Sequence, residues 1–136
     1  MAVCAGAFRY RCNQSPIWTS NCHCKACQVL SGGPYTSAFT VRTDGFEVLS
    51  GQALKFERAA ESGQAVRTVR CKGCGTWVYA ERDSHPEWRS VLATTLDDVS
   101  KFVVISNVYV CEAAPWSILD PALMQFQKMP EDELRG

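Results

Sequence analysis

Residues 22–27 read Cys22-His23-Cys24-Lys25-Ala26-Cys27, and a second thiol pair follows in Cys71-Lys72-Gly73-Cys74-Gly75. A zinc–thiolate bond is about 2.3 Å long, so a tetrahedral site needs its sulfurs roughly 4 Å apart. Cysteines two or three positions apart on a bent backbone meet that requirement. A disulfide inside so short a run would be strained. A lone cysteine is by default a small buried hydrophobe. A C-x-C-x2-C run followed by C-x2-C-G instead points to metal ligation by Cys22, Cys24, Cys27, Cys71 and Cys74.

The bulk composition narrows what surrounds these thiols. With 136 residues the chain is long enough for one core, and residues 1–136 read as a single zinc-binding domain. A hydrophobic fraction of 46% and a charged fraction of 21% are those of a globular protein. Fourteen basic residues balance fourteen acidic ones, so no footprint for nucleic acid or an anionic membrane is present and neither partner is expected. Met1 to Phe8 lack the features of a signal peptide. The apolar run Phe102-Val103-Val104-Ile105 is too short to span a bilayer. The expectation is a reducing, cytoplasmic location, where clustered cysteines serve as metal ligands rather than as a disulfide framework. Nothing in the sequence sets an oligomeric state.

Strands dominate the reading of local structure. Ala7–Arg11, Ile17–Ser20, Tyr35–Val41, Phe46–Leu49, Ala53–Arg58, Arg89–Thr95 and Asn107–Val110 are β-prone, with turns at Thr43-Asp44-Gly45 and Ser50-Gly51. Val66–Arg70 and Thr76–Glu81 flank the second thiol pair as a hairpin, an arrangement called a zinc knuckle. Ala59–Gln64 is small and polar, an exposed loop. Gln28-Val29-Leu30 reads as a single helical turn stopped at Ser31-Gly32-Gly33-Pro34. Asp120 and Pro121 are a cap and a first-turn proline, predicting a short C-terminal helix over 121–128. The fold expectation is all-β, from several small antiparallel sheets with that helix at the end.

Two metal arrangements fit the spacing. Cys22, Cys24 and Cys27 can hold one zinc with the fourth position open to water or substrate. Alternatively, two of them close a four-cysteine structural site with Cys71 and Cys74. An open three-thiolate zinc suits a soft sulfur ligand, and a thiol bound there loses its proton near neutral pH. His23, if its segment is extended, points away from the metal and reads as a surface residue or a support for the ligands. His85, in a loop, is a candidate general acid or base. Asp97 and Asp98 read as a turn or cap, and Arg67 and Arg70 as candidates for a substrate carboxylate. Trp18, Tyr35, Phe39, Trp77 and Tyr79 read as core or pocket walls, and Cys12 and Cys111 as packing residues.

Several stretches together resemble the glutathione-dependent formaldehyde-activating enzyme family, which includes centromere protein V. They are Gly6-Ala7-Phe8-Arg9-Tyr10, the Cys22–Cys27 cluster, Ser31-Gly32-Gly33, Arg70-Cys71-Lys72-Gly73-Cys74-Gly75, Thr95-Leu96-Asp97-Asp98, and Pro115-Trp116 ahead of Leu119-Asp120. The resemblance implies a zinc-bearing β-tent fold and a carbon–sulfur lyase acting on a glutathione-type or other sulfur-containing small molecule. It implies a reactive zinc on Cys22, Cys24 and Cys27, and a stabilising one half held by Cys71 and Cys74. The family's other half is a C-x-C before the first Gly-Ala. Here those positions are Val3 and Ala5 with Cys4 between them, so one or two zinc ions per chain are expected. Asn107 stands where the family usually has a histidine. A non-catalytic zinc module that binds a partner protein, and a cyclase or dehydratase on the same scaffold, are the rival readings.

Overall fold

Alternation along the strand from Thr36 to Arg42 divides the molecule into two faces. The computed structural model describes residues 2–3 and 7–130. In chain order its strands are β1 (Ala2–Val3), β2 (Arg9–Cys12), β3 (Trp18–Cys22), β4 (Thr36–Arg42), β5 (Phe46–Ser50), β6 (Ala53–Ala59), β7 (Ala65–Cys71), β8 (Trp77–Arg82), β9 (Trp88–Leu92), β10 (Ser106–Val108) and β11 (Met124–Gln125). One helix, α1 (Lys25–Ser31), follows β3. An eight-stranded sheet runs β11-β10-β3-β4-β9-β8-β7-β6, and a three-stranded sheet runs β1-β2-β5.

Successive side chains of a strand point to opposite faces, and cross-strand partners share a face. Phe39 pairs with Val91, Val91 with Tyr79, and Tyr79 with Val69. These four are buried, and the small sheet covers them with Phe8, Tyr10 and Phe46. Tyr10 and Phe46 ring centroids lie 5.1 Å apart, and Phe46 and Tyr79 lie 4.7 Å apart. Thr95 Oγ1 donates to the Leu92 carbonyl at 2.6 Å, so its one proton is committed and the buried Tyr10 hydroxyl donates to it at 2.8 Å. Gly51 lets the two sheets meet at this edge. Its φ is 103°, and a Cβ there would overlap the Ala7 carbonyl oxygen and the Phe8 Cα.

The other face of the large sheet has no such cover. Its rows are Trp18–Thr40–Ser90–Ala80–Thr68 and Ser20–Ala38–Leu92, with Arg58–Val66–Arg82 along one border. Most of these side chains are small, so the face is a hollow rather than a second core.

Three sequence expectations change. Residues 121–128 are not helical: Asp120 does cap, accepting from Ala122 N–H at 2.9 Å, but the chain then extends into β11. There Met124 N–H donates to Ile105 O and Phe126 N–H to Asn107 O, so edge pairing with β10 overrides the local signal. The sheets are not uniformly small and antiparallel either, since one has eight strands and β10 runs parallel to both β3 and β11. The helical turn at 28–30 is a full helix from Lys25, ended by Gly32 at φ 73°. Among the described residues no helix is long and apolar enough to cross a membrane.

Candidate metal centre and cleft

Strand β3 delivers Cys22 and helix α1 delivers Cys27, with the bend between them at His23 and Cys24. Cys24 is the N-cap of α1, extended at φ −63° and ψ 153°, and its Sγ accepts the Cys27 N–H at 3.3 Å. The Cys22, Cys24 and Cys27 sulfurs all lie within 4.8 Å of one another. Three soft donors at that spacing fit a metal ion that takes thiolate ligands. The bend itself is anchored at several points. His23 N–H donates to Val108 O at 3.0 Å, and its carbonyl accepts from Gln28 Nε2 at 2.8 Å. Its imidazole is fully buried, 3.0 Å from Asn107 Oδ1 and with its ring centroid 4.9 Å from that of Tyr35. His23 does point away from the thiols as alternation predicts, but into packed protein; the surface expectation is wrong.

The three thiols ionise unequally. Hydrogen bonds from the Cys22 and Cys27 thiols hold Cys24 well below the usual thiol range, with the Arg58 charge adding to the effect. The bond to Cys24, the bond to Cys27 and burial push Cys22 up. In Cys27 the contact with Cys22 pulls downward, but Cys24 and burial outweigh it and the thiol is raised. A divalent cation displaces these protons, so metal uptake weakens as pH falls.

The uncovered face of the sheet forms a cleft of about 590 Å³, within the size range of small-molecule sites. A narrower compartment of about 60 Å³ lies deeper. The two share Thr40, Val66, Ala80, Arg82, Ser90 and Met129, so they are continuous, and the inner one is walled by Cys22, Cys27, Trp18 and Trp77. His85 and Trp88 stand at the outer part, their rings stacked at 4.6 Å, with Ser84 Oγ 3.0 Å from His85 Nδ1.

Other predicted residues divide. Cys71 is buried in the core, on the face opposite the cleft, so it cannot close a four-thiolate site with Cys22 and Cys27. Cys74 Sγ lies 3.0 Å from Thr76 Oγ1, and among the described residues neither Cys71 nor Cys74 joins a three-ligand group. Cys4 and Ala5 lie outside the described residues. Arg67 is taken up by Glu57, Glu81 and Asp83, and Arg70 by the Leu30 and Gly75 carbonyls and the Trp77 ring. Asp98 caps the turn at Val99–Lys101 through Ser100 N–H, and Asp97 holds Arg9 at 2.8 Å. Cys12 packs on the core, whereas Cys111 is exposed, against the expectation of a packing residue. Trp18 and Trp77 are pocket walls, Phe39 and Tyr79 core, as expected.

Sequence reasoning missed Tyr109, Arg58 and Arg82. Tyr109 lines the cleft and is the one non-glycine among the described residues with positive φ, at 56° and ψ 40°. That conformation costs about 1–2 kcal/mol and has no one-letter signature. The arginines face the cleft only because of the β6-β7-β8 register, Arg58 to Val66 to Arg82.

A β-sheet hollow ending in a cluster of three thiols able to hold a metal ion defines the class of protein. The particular family follows from sequence: the chain belongs to the glutathione-dependent formaldehyde-activating enzyme family, whose model matches residues 2–112. The chain is also similar to a Rhodobacter sphaeroides protein of known crystal structure, at a TM-score of 0.58 and 16% identity over 92% of this chain and 97% of that one, which supports the fold alone. A comparison with curated proteins gives no match.

Proposed function

We propose that this protein is a zinc-dependent carbon–sulfur lyase-type enzyme that makes or breaks the C–S bond of a glutathione-type or other sulfur-containing small molecule. The observation that carries the reading is the cleft reaching Cys22 and Cys27: ligands of a purely structural metal have no need of a substrate-sized approach. Cys22, Cys24 and Cys27 hold the zinc, which when bound supplies a Lewis acid that favours the thiolate form of a substrate sulfur. Cys71, in the core on the opposite face, takes no part in the chemistry in this reading.

The chain's own groups do the rest. In the forming direction a sulfur lone pair attacks a carbonyl carbon, the C=O pair moves to oxygen, and a proton must arrive there. Burial pushes Tyr109 above the usual phenol range, so its hydroxyl keeps a proton to give. In the breaking direction the same oxygen returns the proton and the C–S pair leaves with sulfur. Trp18 and Trp77 shield the inner compartment from water, and His85 at the outer part serves as a secondary candidate for proton exchange with solvent.

The test is zinc content of protein purified without chelators, together with the visible spectrum of a cobalt-substituted sample. Addition of glutathione or its formaldehyde adduct should shift the thiolate-to-cobalt bands. A sample that binds no metal at Cys22, Cys24 and Cys27, or whose cobalt spectrum ignores thiols, sinks the proposal.

A further inference from the structure

Arginine usage in this fold is uneven. Among the described residues Arg9, Arg11 and Arg42 each face a carboxylate, Arg67 faces three, and Arg70 and Arg89 donate to carbonyls. Arg58 and Arg82 have neither. Their Nε atoms are buried and lack any hydrogen-bond partner. Both side chains wall the inner compartment that also holds Cys22 and Cys27, and Arg82 continues into the outer cleft. Among the described residues no carboxylate pairs with either: Glu61, in the outer cleft, is taken by Lys128 Nζ at 2.7 Å, and the anionic group that feels the Arg58 charge is the Cys24 thiol of the cluster itself.

A buried guanidinium N–H without an acceptor is unfavourable, and two of them in one register row, on either side of Val66, raise the local positive potential. The group that answers both needs is a planar anion accepting two parallel N–H bonds, that is, a carboxylate. We propose that Arg58 and Arg82 form the carboxylate-binding end of the cleft, so that the substrate enters as an anion whose carboxylate is held by the arginines and whose sulfur faces the thiol cluster. This rests on the cleft being the substrate site, as proposed above. It adds that selection among sulfur compounds comes from charge: neutral thiols and thioethers fit the hollow but lack the anchor.

The experiment uses the full chain and a sulfur-free probe, γ-glutamyl-2-aminobutyryl-glycine, against its diethyl ester, by calorimetry and by intrinsic tryptophan fluorescence, to which the cleft residues Trp18, Trp77 and Trp88 contribute. The expected result is that the acid binds at least about tenfold tighter than the ester. Arg58→Gln and Arg82→Gln should each erode that preference and the pair together should remove it. Equal binding of acid and ester by the unmodified protein overturns the inference, and this comparison stands even if a variant fails to fold. A preference that survives in folded variants overturns it equally. Because the probe carries no sulfur, its binding is read independently of the metal: loss of the cobalt response with an intact acid preference would remove the lyase reading and leave this one.

Discussion

His23 Nε2 lies 3.0 Å from Asn107 Oδ1, and both side chains are almost wholly buried. An amide oxygen only accepts, and Asn107 Nδ2 is directed at Gln125 Oε1, so His23 carries its proton on Nε2. The contact ties the residue between Cys22 and Cys24 to β10, the strand that also accepts the His23 N–H through Val108. Asn107→Ala should cost about 2 kcal/mol, because it strands a buried donor. It should also weaken metal retention by about tenfold or more, as loss of groups that orient ligands does elsewhere. Urea titration and competition with a chromophoric chelator measure the two effects; unchanged metal affinity would show that the bend is held by its backbone bonds alone.

The thiol cluster was legible in the sequence because its members are local: Cys22, Cys24 and Cys27 need only one bend to meet, and spacing encodes it. The strands were legible for the same reason, through alternation and turn residues. The cleft was not. Its floor joins Thr68 on β7 to Trp18 on β3 across five strands, and only the register shows that they share a face. The sequence singled out Arg67 and Arg70, whereas the register turns Arg58 and Arg82 to the hollow, one residue of alternation separating them from Arg67 and its carboxylates. His23 failed in an instructive way: pointing away from a metal says nothing about what lies on the far side, and here that is Asn107 and Tyr35.

Glu81 should make stability depend on pH. Its side chain is 12% exposed, with Lys55 Nζ at 2.7 Å and Arg67 Nε at 3.6 Å. Burial pushes its pKa up, but the Lys55 hydrogen bond and the charges of Lys55, Arg89 and Arg67 outweigh that, so the folded value lies below the usual glutamate range. A depressed folded pKa means that the unfolded chain binds the proton first; the stability is present above the unfolded value and is lost as pH falls through the folded one. Glu81→Gln should therefore cost about 1 kcal/mol at pH 7, Lys55 being half in solvent, with the gap to the parent closing below about pH 4. Denaturant midpoints across that range would show it; a constant gap would mean that the amide loses packing rather than charge.

Tyr109 tests the proton-transfer role. Tyr109→Phe keeps the ring in the cleft and removes the hydroxyl, so zinc content and the cobalt spectrum should not change. Turnover of a glutathione–formaldehyde adduct should fall about a hundredfold, the ordinary scale for removing a general acid. Turnover within twofold of the parent would mean that the strained backbone at this position serves to close the cleft and not to move a proton.

Ser90 offers a way to block the site without touching metal, arginines or tyrosine. It sits mid-sheet between Thr40 and Ala80, lines both parts of the cleft, and is one of the small side chains that keep the hollow open. Ser90→Phe adds a ring where the two compartments join. Because the new bulk enters open space and not the packed face around Val91, the thermal midpoint should change little. Access to the thiols should suffer instead: thiol-induced cobalt shifts should need about tenfold more glutathione or more, with zinc content unchanged. An unaltered titration would place the route to Cys22 and Cys27 elsewhere, and the cleft would then be a feature of the sheet's curvature with no part in catalysis.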